Sequence, residues 1–208
     1  MKKVAIVDYG VGNLFSLASS LKYLGIDSIV TRERNYLLDA EKIILPGVGA
    51  FRAAMQKLED TGLVSTLNEE VKSGKPILGI CLGMQMFFEC GFEYGECKGL
   101  GYLEGKIYAI EDDLREMGST LKVPHMGWNA LDIKMPEHPI VKNIKSGDHV
   151  YFVHSFYAKE CDKSVVASCD YGVEIPAIVA QGNICGCQFH PEKSGKTGLA
   201  ILSAFADM

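Results

Sequence analysis

Pro76-Ile77-Leu78-Gly79-Ile80-Cys81-Leu82-Gly83-Met84-Gln85 is the stretch on which the fold turns. Its first half is a short continuous apolar run, as expected of a strand buried on both faces of a parallel sheet. The second half opens a helix, expected over Leu82 to Cys90, and glycines flank the cysteine at the junction. Upstream the same alternation repeats. Val4 to Asp8 reads as a strand, ending in the turn Tyr9-Gly10-Val11-Gly12-Asn13, where Asn13 is a candidate N-cap. Leu14, Leu17, Leu21 and Leu24 then lay an apolar stripe along a helix that Gly25 closes. Ser28 to Thr31 and Lys42 to Leu45 read as further strands, and Phe51 to Glu70 carries helical spacing broken at Gly62. Strand alternating with helix predicts an α/β fold with a parallel sheet covered on both faces.

Beyond Gly91 the texture changes. Strand-like runs at Lys106 to Ile110, Lys122 to His125, Ala130 to Ile133, His149 to Phe156, Val165 to Ser168, Ala177 to Ala180 and Ile184 to Phe189 predict antiparallel additions. A last helix is expected over Lys196 to Phe205. No linker or repeat interrupts the pattern, so the 208 residues are expected to form one domain, 1–208. Hydrophobic residues make up 48% and charged residues 23%, which disfavours disorder and coiled coil. The formal charge of −5 gives no electrostatic reason to expect nucleic acid or an anionic membrane as partner. The run after Met1-Lys2-Lys3 stops at Asp8, too short for an export signal, and no stretch approaches a membrane span. Seven cysteines without a disulfide framework point to a reducing cytoplasm, with Cys90, Cys97, Cys161 and Cys169 as reduced bystanders.

Gly79-Ile80-Cys81-Leu82-Gly83 has the pattern of a nucleophile elbow with Cys in place of Ser, a sharp turn that lifts the reactive atom above the sheet. The helix that follows points its positive end at the sulfur and favours thiolate. A thiolate attacking an acyl group needs an imidazole to protonate the leaving group. His190 is the favoured candidate: Pro191 biases it toward extended backbone, from which Glu192 can reach and orient the ring. His154 is the reserve base. The Leu82 N–H supplies one oxyanion donor, and the turn Pro46-Gly47-Val48-Gly49 can supply the second through Val48. A buried structural cysteine, a surface His-Pro-Glu turn and a plain loop are the respective alternatives.

Three further patterns fail on spacing. Gly195-Lys196-Thr197 lacks the glycine that a phosphate-binding loop needs at position 190. Gly10-Val11-Gly12 lacks the third glycine of a dinucleotide fingerprint. Cys185-Gly186-Cys187 has no second close cysteine pair to complete a zinc site, so both read as core. Neither metal nor cofactor is expected.

The Gly79 to Gln85 run, with Phe189-His190-Pro191-Glu192, resembles the class I glutamine amidotransferases. Asp8 to Leu14, Pro46 to Phe51, Val123-Pro124-His125-Met126-Gly127-Trp128-Asn129 and Tyr151-Phe152-Val153-His154-Ser155 narrow the likeness to the glutaminase subunits of imidazole glycerol phosphate synthase, from histidine biosynthesis. The resemblance covers nearly the whole chain. It implies a flavodoxin-like, mostly parallel mixed sheet. It also implies a Cys81–His190–Glu192 triad, an oxyanion hole at Val48 and Leu82, and glutamine held by Gly49, Gln85 and the backbone at Ser155 and Phe156. Phe156 stands where the family often carries Tyr. The ammonia would pass to a separate (β/α)₈-barrel cyclase in a heterodimer, with Trp128, Tyr151 and Lys193 expected at the interface. The other readings are a paralogous subunit feeding a different synthase, as in nucleotide-sugar amidination, a stand-alone cysteine γ-glutamyl hydrolase, and a non-catalytic binding module.

Overall fold

The computed structural model describes residues 3–208; Met1 and Lys2, the start of the stretch weighed as an export signal, lie outside them. The first half is built as the alternation predicts. Strand β1 (Lys3–Val7) leads to helix α1 (Leu14–Tyr23), followed by β2 (Asp27–Thr31), α2 (Arg34–Asp39) and β3 (Lys42–Gly47). Gly62 divides the next helical stretch into α3 (Phe51–Asp60) and α4 (Leu63–Lys72), after which β4 (Ile77–Cys81) enters the middle of the sheet. Side chains of odd and even parity along these strands feed two separate cores. Val4, Ile6, Ile44, Leu78 and Ile80 pack toward α1, whereas Ala5, Val7, Ile43, Leu45 and Ile77 pack toward α2, α3 and α4. That is why the strands read as unbroken apolar runs.

After β4 the one-turn helix α5 (Leu82–Gln85) takes the place of the expected helix to Cys90. The chain behind it folds back, and Leu100, Gly101, Tyr102 and Leu103 donate their N–H groups to the carbonyls of Met86, Phe87 and Phe88. Those carbonyls are thereby lost to a helical ladder. Short strands β5 (Cys90–Gly91), β6 (Cys97–Lys98) and β7 (Lys106–Ala109) precede helix α6 (Ile110–Glu116). The strand expected over Lys122 to His125 instead begins at His125, as β8 (His125–Ala130), with β9 (Asp132–Ile133) beyond it. The run His149 to Phe156 is broken at Ser155 into β10 (His149–His154) and β11 (Phe156–Lys159), which join different sheets. Strands β12 (Val165–Asp170), β13 (Glu174–Gln181) and β14 (Ile184–Cys187) return to the main sheet, and α7 (Gly195–Asp207) closes the chain. Helices α2 and α6 were not expected from the sequence, each being too short to show a full apolar stripe.

The main sheet has the order β2-β1-β3-β4-β14-β13-β12-β9. Its first five strands are parallel and its last three antiparallel additions, the flavodoxin-like mixed sheet expected. Beside it lie the four-stranded sheet β11-β7-β5-β6 and the two-stranded ribbon β10-β8. Among the described residues, no helix is long and apolar enough to cross a membrane.

Candidate active site

Open parallel α/β sheets present ligand sites beyond the carboxyl ends of their strands. Here β3, β4 and β14 are neighbours, with Gly47 opposite Cys81 and Ile80 opposite Cys187. Their carboxyl ends therefore deliver the Val48 turn, Cys81 and the segment leading to His190 to one place. Cys81 takes φ 54°, ψ −112°, a conformation L-residues rarely adopt. The flanking glycines explain how it is held: a Cβ on Gly79 would lie 2.6 Å from the Met84 Cα, and one on Gly83 would run into the Leu45 carbonyl oxygen. Strand and helix approach too closely at this corner for any side chain. Cys81 remains 7% exposed, at the wall of a cavity of about 640 Å³. Val48, Gly49, Leu82, Gln85, Ser155, Phe156 and His190 line the same cavity.

Pro191 ends the extended segment, and a 3-10 turn over Pro191–Lys193 swings Glu192 back under the ring. Glu192 reaches His190 through that turn, rather than by the extended spacing read from the sequence. Its Oε1 lies 2.8 Å from His190 Nδ1, and both side chains are almost fully buried. Burial opposes a charge on His190, but its interactions with Cys81 and Glu192 outweigh that and push its pKa up to about 9. Burial likewise opposes a charge on Glu192, and His190 and Asn13 outweigh it, so its carboxyl sits below the usual range.

Asn13 makes no side-chain cap on α1; its Nδ2 instead donates to Glu192 Oε1 at 3.1 Å. The contact spans 179 positions, so no local signal could reveal it.

His154, the reserve base, is excluded by its partners. It lies 2.9 Å from the Phe156 carbonyl through Nδ1 and 3.0 Å from His125 Nδ1 through Nε2. A carbonyl only accepts, so Nδ1 carries the proton and Nε2 accepts from His125. Burial drives the His154 pKa down to about 3 and that of His125 to about 4, so both are neutral imidazoles with committed nitrogens. The Phe156 carbonyl also accepts from Gln85 Nε2 at 2.8 Å. Gln85 Nε2 donates as well to Gln188 Oε1 at 3.0 Å, so Gln85 can offer a ligand only its oxygen.

The residues expected at an interface gather beside this site. Trp128 and Tyr151 face each other across β8 and β10, ring centroids 6.1 Å apart, and Trp128 is 57% exposed. So exposed a tryptophan is not part of the core. Tyr151 is tied to the His190 segment: its carbonyl accepts from His190 N–H and its N–H donates to Ser194 Oγ. Lys193 is exposed on the same segment. Cys185 and Cys187, the discarded zinc pair, are buried in the core, and burial pushes both thiols up.

The sequence profile of the class-I glutamine amidotransferases matches residues 5–207. The imidazole glycerol phosphate synthase subunit HisH of Geobacter sulfurreducens is 46% identical over 209 residues, covering 100% of both chains. That of Bacillus cereus is 48% identical, covering 97% of this chain and 93% of its own. Among solved structures, PurLQS from Thermotoga maritima superposes with a TM-score of 0.75 at 20% identity, covering 100% of this chain and 99% of its own. A crystal structure of a glutamine amidotransferase gives 0.73 at 20% identity, covering 98% of this chain and 99% of its own. At those identities the structures speak for the fold alone. The full-length match to the HisH relatives carries the assignment further: the chain belongs to the class-I glutamine amidotransferases, and within them to the HisH subunits of imidazole glycerol phosphate synthase.

Proposed function

We propose that Cys81, His190 and Glu192 are the catalytic triad by which this chain, over its single domain 1–208, hydrolyses glutamine. The supporting observation is the buried His190–Glu192 pair beside a cysteine held at a positive φ. Cys81 Sγ attacks the side-chain amide carbon of glutamine, and the Val48 and Leu82 N–H groups hold the resulting oxyanion. His190 enters this step protonated, consistent with its raised pKa. It gives that proton to the departing nitrogen as the C–N bond breaks, leaving a thioester and ammonia. Water then attacks the thioester and gives a proton to His190. The C–S bond breaks, the product leaves as the side-chain acid and gives its proton to solvent to become glutamate, and thiolate and imidazolium are restored. Gly49, Ser155, Phe156 and the Gln85 oxygen hold the substrate.

The ammonia passes to a (β/α)₈-barrel cyclase subunit, which uses it to make imidazole glycerol phosphate and an aminoimidazole carboxamide ribotide. The two chains form a cytoplasmic heterodimer, a setting supported by seven free thiols. Docking is through the face carrying Trp128, Tyr151 and Lys193. A subunit that makes ammonia only for another chain wastes glutamine unless it is switched, so turnover depends on the partner. The decisive experiment measures glutamine hydrolysis for the chain alone, with the cyclase, and with cyclase holding its ribotide ligand. Turnover should rise steeply across the three arms and vanish in Cys81→Ala. Equal rates in all three would favour a stand-alone hydrolase, and no turnover in any would favour a binding module.

A further inference from the structure

Gln188 is a side chain that neither the elbow nor the triad employs, yet it reaches the reactive sulfur. It is wholly buried. The register of β4 and β14 places it there: Ile80 lies opposite Cys187, so the next residue along each strand sets Gln188 beside Cys81. Gln188 Nε2 lies 3.9 Å from Cys81 Sγ, within reach of a weak hydrogen bond to sulfur.

The orientation of this amide is fixed from outside. The Phe156 carbonyl can only accept, so Gln85 must turn its nitrogen toward it. The second hydrogen of that nitrogen points to Gln188, which must answer with its oxygen. Gln188 is left with its N–H₂ group toward the sulfur. The opposite orientation would set two amide nitrogens against each other and an oxygen lone pair against a thiolate.

We propose that Gln188 is a catalytic residue, an N–H donor to the Cys81 thiolate that complements His190, and that Gln85 and the Phe156 carbonyl hold it in the donating orientation. This rests on the reading of Cys81 as the nucleophile. His190 must turn toward the leaving nitrogen during the reaction. A neutral amide that never gives up its proton keeps the sulfur in place while it does so. A hydrogen bond to a charged group, removed, corresponds to about 10–100-fold in rate.

The test uses the complex with the cyclase and its ligand, comparing wild type, Gln188→Met and Gln188→Glu. Gln188→Glu keeps the acceptor that Gln85 needs and sets a second oxygen, with its charge, against the sulfur, whereas Gln188→Met removes the donor without adding charge. Both variants should lose about 10–100-fold in kcat for glutamine. Both should also slow the alkylation of Cys81 by iodoacetamide at neutral pH by a similar factor. Unchanged alkylation in a folded variant would overturn the proposal, leaving Gln188 a packing residue whose loss alters only thermal stability and KM. Should both variants fail to fold, the wild-type protein still decides: the Gln188 side-chain amide resonance must shift when Cys81 is carbamidomethylated, and an unmoved resonance overturns the proposal. Inactive wild type would instead count against the glutaminase reading itself.

Discussion

Cys81 holds a backbone conformation that costs an L-residue about 1–3 kcal/mol, and backbone packing at the glycines on either side holds it there. Gly83→Ala should therefore cost about 3 kcal/mol, the upper end of overpacking penalties, because the added methyl meets the Leu45 carbonyl rather than a side chain that can move. Urea unfolding measures this; a loss under about 1 kcal/mol would mean that the corner yields. Removing the His190 proton donor by His190→Asn should lower kcat by about 10²–10⁴. Glu192→Gln should cost less, since the carboxylate orients the ring and carries no transferred proton. His154→Asn should leave kcat far closer to wild type than His190→Asn, because both His154 nitrogens are engaged away from the sulfur. The grouping of Cys81, His190 and Glu192, the proposed triad, was legible because its members sit in local patterns: glycines around Cys81 and a proline after His190. Asn13 and Gln188 were not legible, since each is a common polar residue whose role comes only from a long-range contact or a strand register.

At the scale of elements, the β8–β10 ribbon joins the outside of the molecule to the triad. Trp128 and Met126 face outward, while His125, Phe152 and His154 are buried beneath them. The backbone of Tyr151 in between is bonded to His190 and Ser194. Trp128→Ala should thus leave the stability of the chain within about 0.5 kcal/mol, as for an exposed residue, while weakening cyclase binding by about 2 kcal/mol or more. Calorimetric titration and thermal melting separate the two; lost stability with unchanged affinity would make Trp128 a packing residue. Strands β1, β3 and β4 were readable from their unbroken apolar runs, and the division of α3 from α4 was readable at Gly62. The end of α5 was not, because Leu82 to Cys90 has ordinary helical composition and the carbonyls that stop it are claimed by residues 99–103 further along. The split of the β10–β11 run at Ser155 was hidden likewise, since both halves are equally strand-like and only the choice of sheet separates them.

Across the whole molecule, buried ionisable groups set opposite slopes of stability on the two sides of neutrality. His125 and His154 are buried as neutral rings with pKa values near 4 and 3, against about 6.5 in the unfolded chain. Between those values the unfolded state binds protons that the native state refuses, so stability falls as the pH drops below about 6.5. The slope approaches about 1.4 kcal/mol per pH unit for each ring. His190 behaves in the opposite sense. Its raised pKa of about 9 makes the charged ring a stabilising feature that is complete below about 6.5 and lost as the pH climbs through 9. The thiols of Cys161, Cys169 and Cys185, pushed up by burial to about 11, 12 and 12, steepen the alkaline loss, since the unfolded chain ionises them from about 8.5. The melting temperature should therefore peak near pH 6.5 and fall on both sides. Replacing His154 by Asn should flatten the acid limb by one ring's share while leaving the alkaline limb unchanged. A melting temperature that holds steady from pH 6.5 to 5 would show that the two rings are not buried neutral. Glutaminase turnover adds an independent check on the alkaline side: kcat should decline as the pH passes about 9 and His190 loses the proton destined for ammonia.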